Sequence, residues 1–344
     1  MPPAKPLSHW FRIGLLLAIA TVIVSVVVFG LVIWAFEQPT KWSRESEKRC
    51  DTVLSKIESL GGAVPHAMWE SPSRVAYEYR GLEIKLGSKW RGGSDGLTCL
   101  KDLECPFILA LDTPDIDDRG LQHLKGLQFL AGVRAGRTVI TDAGLRCLKD
   151  AKDMRLLSLD GTHITDAGLA SLEGLNPMWL LIENRSQITD AGLVHLARMT
   201  NLMWLRLVGA NINGSGLANL SRLTELRELV LRGTHVNDDA LSHLPSLPRL
   251  RRLDLSETKI RGPGLTHLSN LPQLEELSLD NMSLDDSGLR YLTGLDHLVV
   301  LSLKGTKVSE PGVRTLKLKK LKTVFVGRGQ EVRLLPADAA SNFW

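Results

Sequence analysis

Apolar and polar positions along this chain keep one rhythm over most of its length. It is clearest in Leu157-Ser-Leu159-Asp-Gly-Thr162-His-Ile164-Thr165-Asp166-Ala-Gly168-Leu169-Ala-Ser-Leu172. Leu157 and Leu159 alternate with polar residues, which is the period of a short, half-buried strand. Ile164 turns back toward a core, and Thr165 or Asp166 is placed to cap a helix by accepting backbone N–H bonds. Leu169, Leu172 and Leu175 recur at spacing three, so they line one side of a helical turn and face the strand.

The rhythm returns every 24 residues: Gly96, Gly120, Gly144, Gly168, Gly192 and Gly216 form one series, continued by Gly264, Gly288 and Gly312, with Ala240 in the one gap. A leucine or valine follows each member, from Leu97 to Val313, and a further leucine stands three positions on, from Leu100 to Leu316. Such a period predicts an array of small units stacked on one another. No single unit can bury its own leucines. Stacked, the units share one core, with strands in a parallel sheet and helices outside, and the wider helical side makes the stack curve.

The pattern resembles the leucine-rich repeat family in its form L-x-L-x-x-T-x-I-T-D-x-G-L-x-x-L-x-x-L. Thr141 to Leu145, Thr165 to Leu169 and Thr189 to Leu193 carry the turn motif. Leu205/Leu207/Ile212, Leu229/Leu231/Val236, Leu253/Leu255/Ile260, Leu277/Leu279/Leu284 and Leu301/Leu303/Val308 carry the strand and core signature. The resemblance covers residues 95–326, as ten units. It implies an α/β solenoid with a parallel concave sheet and convex helices. The same repeat form occurs in bacterial membrane-anchored proteins and in the substrate-reading arms of F-box proteins.

The ends differ from the array. Ile13 to Phe36 contains no charged side chain across 24 positions, and at about 1.5 Å per helical residue it is long enough to cross a bilayer core. Trp10, Phe11 and Trp34 stand near its ends, as interfacial aromatics do. A cleaved signal peptide is the competing reading, but its apolar region would be shorter, and no small-x-small site follows at Trp34 to Pro39. The segment is therefore expected to stay as a single membrane anchor after a short tail, residues 1–12. Lys5 and Arg12 precede the span, and Lys41, Arg44, Lys48 and Arg49 follow it, which leans toward a cytoplasmic array. Glu37 and the short charged tail argue the other way, so the side of the membrane stays open.

Residues 37–94 are expected to cap the first unit. Lys41 to Leu60 reads as an amphipathic helix with Val53, Leu54, Ile57 and Leu60 on one side, ended by Gly61-Gly62. Arg74 to Tyr79 and Leu82 to Leu86 read as a hairpin. At the far end Thr323 to Val326 supplies a last strand, and Val332 falls where the turn residue of another unit would stand. Residues 327–344 form the terminal cap and tail.

Composition narrows the chemistry. A net charge of +4 argues against nucleic acid, and 5% aromatic content leaves no stacking platform for single strands. No phosphate loop, nucleophile elbow or metalloprotease motif occurs, so neither an enzyme nor a small-molecule substrate is expected, and no cofactor. His123, His195, His243 and His267 share one repeat position. Only the last two are in adjacent units, and no ligand spacing recurs beside them, so they read as residues whose imidazoles cap neighbouring carbonyls. Cys99 and Cys105 share one unit and are close enough in sequence to pair in an oxidising compartment; two separate thiols is the preferred reading. The lysine run Lys317, Lys319, Lys320 and Lys322 reads as a solvated terminal segment.

Strand residues that point away from the core form ladders on the concave face, one rung per unit. Strict counting gives Leu156, Leu180, Trp204, Glu228, Arg252, Glu276 and Val300 in one ladder, with Ser158, Ile182, Arg206, Val230, Asp254, Ser278 and Ser302 beside it. Apolar anchors rimmed by charge are what protein-binding surfaces use. Trp204, Arg206, Glu228, Val230, Arg252, Asp254, Leu156 and Leu181 are the candidate partner-binding residues. Strict counting also puts Glu183 in the core, where an unpaired carboxylate is costly. A one-residue shift with a bulge before Ile188 would bury Leu180 and Ile182 instead and move Leu181 and Glu183 to the open face.

The expected function is a membrane-anchored protein-interaction module. The alternatives are a structural or adhesive envelope component, and a substrate adaptor of the F-box kind. The adaptor would need an F-box ahead of the repeats, which Lys41 to Gly93 does not resemble.

Overall fold

The computed structural model describes residues 44–64, 82–183 and 187–333. The chain divides into two units, Met1–Asp51 and Thr52–Trp344. The first contributes only the start of α1 (Arg44–Ser59) to the described residues. The predicted anchor at Ile13 to Phe36 lies outside them, as do Arg74 to Tyr79 and the terminal tail. Among the described residues no helix is long and apolar enough to cross a membrane.

The second unit is built on one twelve-stranded sheet whose order follows the sequence. Its strands are β1 (Leu82–Leu86), β2 (Phe107–Asp112), β3 (Leu130–Gly136), β4 (Leu156–Ser158), β5 (Trp179–Glu183) and β6 (Trp204–Val208). They continue as β7 (Glu228–Val230), β8 (Arg252–Asp254), β9 (Glu276–Ser278), β10 (Val300–Lys304), β11 (Thr323–Gly327) and β12 (Gln330–Arg333). Every neighbouring pair is parallel except β11 and β12.

The repeat leucines meet in the core as their spacing requires. Leu157, Leu159, Ile164, Leu169 and Leu172 are completely buried, and so is their counterpart Leu229. Thr162, in the tight turn after the strand, is buried as well. Its hydroxyl donates to the Leu159 carbonyl at 2.7 Å, and Thr234 and Thr306 repeat the bond to Leu231 and Leu303. A buried hydroxyl so bonded carries little desolvation cost.

The outer segments are shorter and tighter than the expected helices. Asp118–Gln122, Asp142–Leu145, Asp166–Ser171 and Glu310–Val313 are α-helical. Asp95–Asp102, Asp190–Arg198, Leu217–Arg222, Asp239–His243, Pro263–Asn270 and Asp286–Leu292 are 3₁₀. The leucine spacing of three is compatible with both forms over one turn; in the 3₁₀ segments residues i and i+3 eclipse one another, so Leu193 and Leu196 drop into the core on one line.

The Thr-Asp pairs do more than cap their own segments. Thr141, Thr165 and Thr189 accept N–H bonds from Ala143, Ala167 and Ala191, as expected of N-caps. The aspartate beside each threonine reaches the next unit. Asp142 accepts from Thr165 N at 2.8 Å and Thr165 Oγ1 at 2.6 Å, and Asp166 does the same for Thr189 at 2.9 and 2.6 Å. Asp118 serves Thr141, and Asp286 serves Ser309. Asp190 and Asp238 each take three backbone N–H groups of the following unit, those of Asn213, Gly214 and Gly216 and of Arg261, Gly262 and Gly264. Each carboxylate thus ties two units together.

This tie accounts for the glycine of the units that follow an aspartate. A Cβ at Gly168 would stand 2.3 Å from Asp142 Oδ1, one at Gly192 2.2 Å from Asp166 Oδ1, and one at Gly144 2.4 Å from Asp118 Oδ1. The exception follows the same rule. Ala240 replaces the glycine where the preceding unit has Gly214 in place of the aspartate, and a Cβ on Gly214 would lie 2.2 Å from that of Ala240. One of the two positions must be bare.

The register is 24 residues along most of the sheet; β1–β2 steps by 25, β10–β11 by 23, β2–β3 shifts after Phe107, and β5 carries a compensated slip. Leu157 pairs with Leu180, a step of 23, and Leu180 with Leu205, a step of 25. Leu180 and Ile182 are buried, while Leu181 and Glu183 are half-exposed on the open face. The one-residue shift is therefore present, and Ile188 rejoins the core beyond residues 184–186, which are outside the described set.

Both ends depart from the expected plan. β1 joins β2 in parallel, so the sheet starts at Leu82, ahead of residue 95, and Ala63 bridges Lys85 in antiparallel fashion. In the second unit α1 buries Val53 and Ile57, and Gly61 ends it with φ +87° while Gly62 N donates to the Ile57 carbonyl. At the other end Val332 is not a turn residue. It pairs with Val324 in β12, which returns antiparallel beside β11 and shields the last rung of the core. The last lysines are solvated as expected, with Lys319 Nζ on Asp296 Oδ2 at 2.6 Å and Lys320 beside His297 at 3.5 Å.

Gly168→Ala is expected to destabilise the protein by about 1–3 kcal/mol, although alanine normally outdoes glycine in a helix. In an Asp142→Gly background, which copies the Gly214/Ala240 pair, the same substitution should become neutral or stabilising. Denaturant melts of the four proteins of this cycle measure the coupling. Equal costs of Gly168→Ala in both backgrounds would exclude the steric account.

Candidate functional site

Alternation along each strand puts every second side chain on the open face of the sheet, and the register settles which residues align. The first ladder runs Ile108, Gly132, Leu156, Trp179, Trp204, Glu228, Arg252, Glu276, Val300. Because of the slip, Trp179 and not Leu180 stands beside Trp204. Their rings stack with centroids 4.7 Å apart and an interplanar angle of 12°. The second ladder runs Arg134, Ser158, Leu181, Arg206, Val230, Asp254, Ser278, Ser302.

The apolar end of this face is a side-chain cluster in its own right. Ile108, Leu156 and Trp179 are buried at 7%, 1% and 5% exposure, and Met178, Leu181 and Trp204 pack against them. Gly132 makes the cluster continuous, since a Cβ there would press on Leu156 and Ile108. Two expectations change. Leu156 is buried by its neighbours and does not present itself to a partner, and Val230, between Arg206 and Asp254, is also buried. Trp204 is half-buried, because Trp179 covers one of its faces.

Beyond the tryptophans the face becomes charged, and its arginines are already occupied. Arg206 Nε lies 2.7 Å from Glu183 Oε1, but off the N–H direction, so the contact is an ion pair without an aligned hydrogen bond. Arg252 sits between two glutamates, its Nε 3.0 Å from Glu276 and its guanidinium 3.6 Å from Glu228. Arg232 holds Glu257 at 2.6 Å; that hydrogen bond lowers the Glu257 carboxyl below its usual range and raises Arg232. Among the described residues Asp254 and Asp280 form no ion pair. Their oxygens accept from Ser256 N, and from Ser302 Oγ and Lys304 N. Asp160 accepts from Ser158 Oγ at 2.7 Å through Oδ2, while its buried Oδ1 has no hydrogen-bond partner.

Of the eight candidates, the structure brings Trp204, Leu181 and Leu156 into one cluster and Arg206, Val230, Glu228, Arg252 and Asp254 into the adjoining rungs. Trp179, Met178 and Ile108 were missed by strict counting. The signal was present, since the shift that rescues Glu183 also carries Trp179 into line with Trp204.

The outer side offers no rival centre. His195 Nδ1 lies 2.7 Å from Glu173 Oε1 of the preceding unit, and His123 Nε2 lies 3.7 Å from Asp95. These imidazoles therefore meet carboxylates rather than carbonyls, and the His195 bond lowers Glu173. No group of histidine, cysteine or carboxylate side chains that could hold a metal ion occurs among the described residues. Cys99 is a free thiol whose Sγ lies 3.1 Å from the Gly96 carbonyl; burial raises its pKa and that of Cys147, which opposes thiolate chemistry at both.

Twelve ordered strands, a 24-residue register and one shared leucine core decide the architecture. It is that of a leucine-rich repeat array. Among solved structures the array is similar to the plant peptide hormone receptor RGFR1 in complex with RGF2, at 14% identity and a TM-score of 0.42, over 76% of this chain and 37% of that one. It is also similar to internalin C2 of Listeria monocytogenes, at 23% identity and a TM-score of 0.41, over 67% of this chain and 83% of that one. Both are leucine-rich repeat proteins. This chain spans little more than a third of the receptor's length. No protein-family model and no curated protein matches it.

Within this leucine-rich repeat array the tryptophan stack should stabilise the sheet. A double-mutant cycle of Trp179→Leu and Trp204→Leu is expected to show a coupling of about 0.5–1.5 kcal/mol beyond the separate losses. Thermal or denaturant melts supply the four values, and strict additivity would mean that the rings do not stack in solution.

Proposed function

We propose that the protein is a non-catalytic protein-interaction module, which binds its partner on the open, expectedly concave face of the sheet. The observation that carries this reading is half-exposed Trp204, stacked on buried Trp179 beside ion-paired rungs. Large aromatic side chains that are already ordered lose little entropy on binding, and a charged rim supplies orientation. Trp204 is the principal contact of this surface. Leu181, Arg206, Glu228, Arg252 and Asp254 flank it, while Leu156 belongs to the buried cluster it packs against and Val230 is buried between Arg206 and Asp254.

The array is held at a membrane by Ile13 to Phe36. This part of the proposal rests on the sequence of that segment alone. Amino-terminal sequencing of protein purified from its native host should find the segment intact. A mature terminus beyond Trp34 would overturn the anchor and leave the interaction reading untouched.

Partner capture from solubilised membranes tests the interaction itself. Trp204→Ala should weaken retention of the captured partner about thirtyfold, the scale of losing one central anchor of about 2 kcal/mol. Arg198→Ala, on the exposed outer side, should retain it fully, with both variants folded by circular dichroism. Retention lost in the Arg198 variant and kept in the Trp204 variant would place recognition on the outer side.

A further inference from the structure

The proposed face has an uneven charge balance that selects the chemistry of what it can hold. Its three central arginines are each neutralised by glutamate: Arg206 by Glu183, Arg232 by Glu257, and Arg252 by Glu228 and Glu276 together. One glutamate of the last trio is therefore in excess. Asp254 and Asp280 have no ion pair among the described residues, and both lie near enough to Arg232 to act on it from a distance. Asp160 adds a carboxylate whose Oδ1 lacks any hydrogen-bond donor. Lys304, at the far edge, turns its ammonium onto the Phe325 ring 5.0 Å away, so Asp280 holds the Lys304 backbone N–H and the Ser302 hydroxyl but no cation. A surface with cations satisfied and carboxylates unsatisfied repels acidic ligands and favours basic ones.

We infer that the partner presents a cationic segment, with an apolar side chain on the Trp179–Trp204 stack and a lysine or arginine against Asp254 and Asp280. This rests on the open face being the binding face. Strand spacing gives the separation. Asp254 lies two rungs from Trp204, and Asp280 three. At about 4.8 Å per rung that is roughly 10–15 Å across the sheet. An extended segment advances about 3.3 Å per residue, so the apolar and basic residues stand roughly three to five positions apart. The tryptophan pair also favours a neighbouring cation through its ring faces.

Selection of displayed random dodecapeptides against the full-length chain tests this, followed by titration of the recovered synthetic peptides. The expected peptides pair an apolar residue with lysine or arginine at that spacing and lose about tenfold or more in affinity to Trp204→Ala. They also lose about tenfold to Asp254→Asn with Asp280→Asn combined, which keeps the oxygens that accept from Ser256, Ser302 and Lys304, and they weaken as salt rises. Peptides that need Trp204 but are neutral or acidic, and ignore the asparagine pair, overturn the inference and leave the binding face standing. A selection with no Trp204-dependent peptide overturns the inference and the binding face together.

Discussion

A carboxylate recurring in six units, bonded to the start of the next unit's outer segment, organises the array. Asp142 on Thr165 and Asp166 on Thr189 show the form it takes. A solenoid has no contacts between distant units, so its order depends wholly on what passes between neighbours. The leucine core supplies most of that attraction, but it is greasy and tolerates sliding. Hydrogen bonds to a charged acceptor are directional and stronger than neutral ones, about 1.5–3 kcal/mol each, and they hold the outer side in step with the sheet. The glycine opposite each such aspartate is a consequence, because the carboxylate needs the volume a side chain would fill.

The sheet side has a different economy. Backbone pairing and ladders of alternating charge keep it ordered, and the compensated slip at β5 shows what decides register there. Holding to 24 residues would have buried Glu183 and exposed Leu180. Stepping by 23 and then 25 reverses both, sets Glu183 beside Arg206, and brings two tryptophans face to face. One unfavourable charge thus reshaped the surface four residues away.

That history explains what could be read in advance. The core leucines, the strand order and the Glu183 shift follow from periodicity and the cost of a buried carboxylate. Trp179 escaped because a strict count lines Trp204 up with Leu180, and only the shift replaces that leucine. The 3₁₀ geometry escaped because spacing three fits both helix types over one turn. The role of the aspartates escaped because their partners lie 23 residues away, beyond any local motif. Val332 matched the repeat by position, yet a strand at the end of an array has an open edge to cover, and β12 covers it.

The Gly214 and Ala240 exchange says something about how such a chain can change length. A unit fits its neighbour only if the two sides of the junction do not claim the same space: aspartate meets glycine, and alanine is carried only opposite the bare Gly214. Excising the single unit that carries Gly214 would drive Asp190 into the Ala240 methyl group. Excising that unit and the one carrying Ala240 together would join Asp190 to Gly264, a combination the array already uses between Asp238 and Gly264. The heritable module is therefore the seam between repeats, and insertions or losses that respect the seams are the ones the fold can absorb.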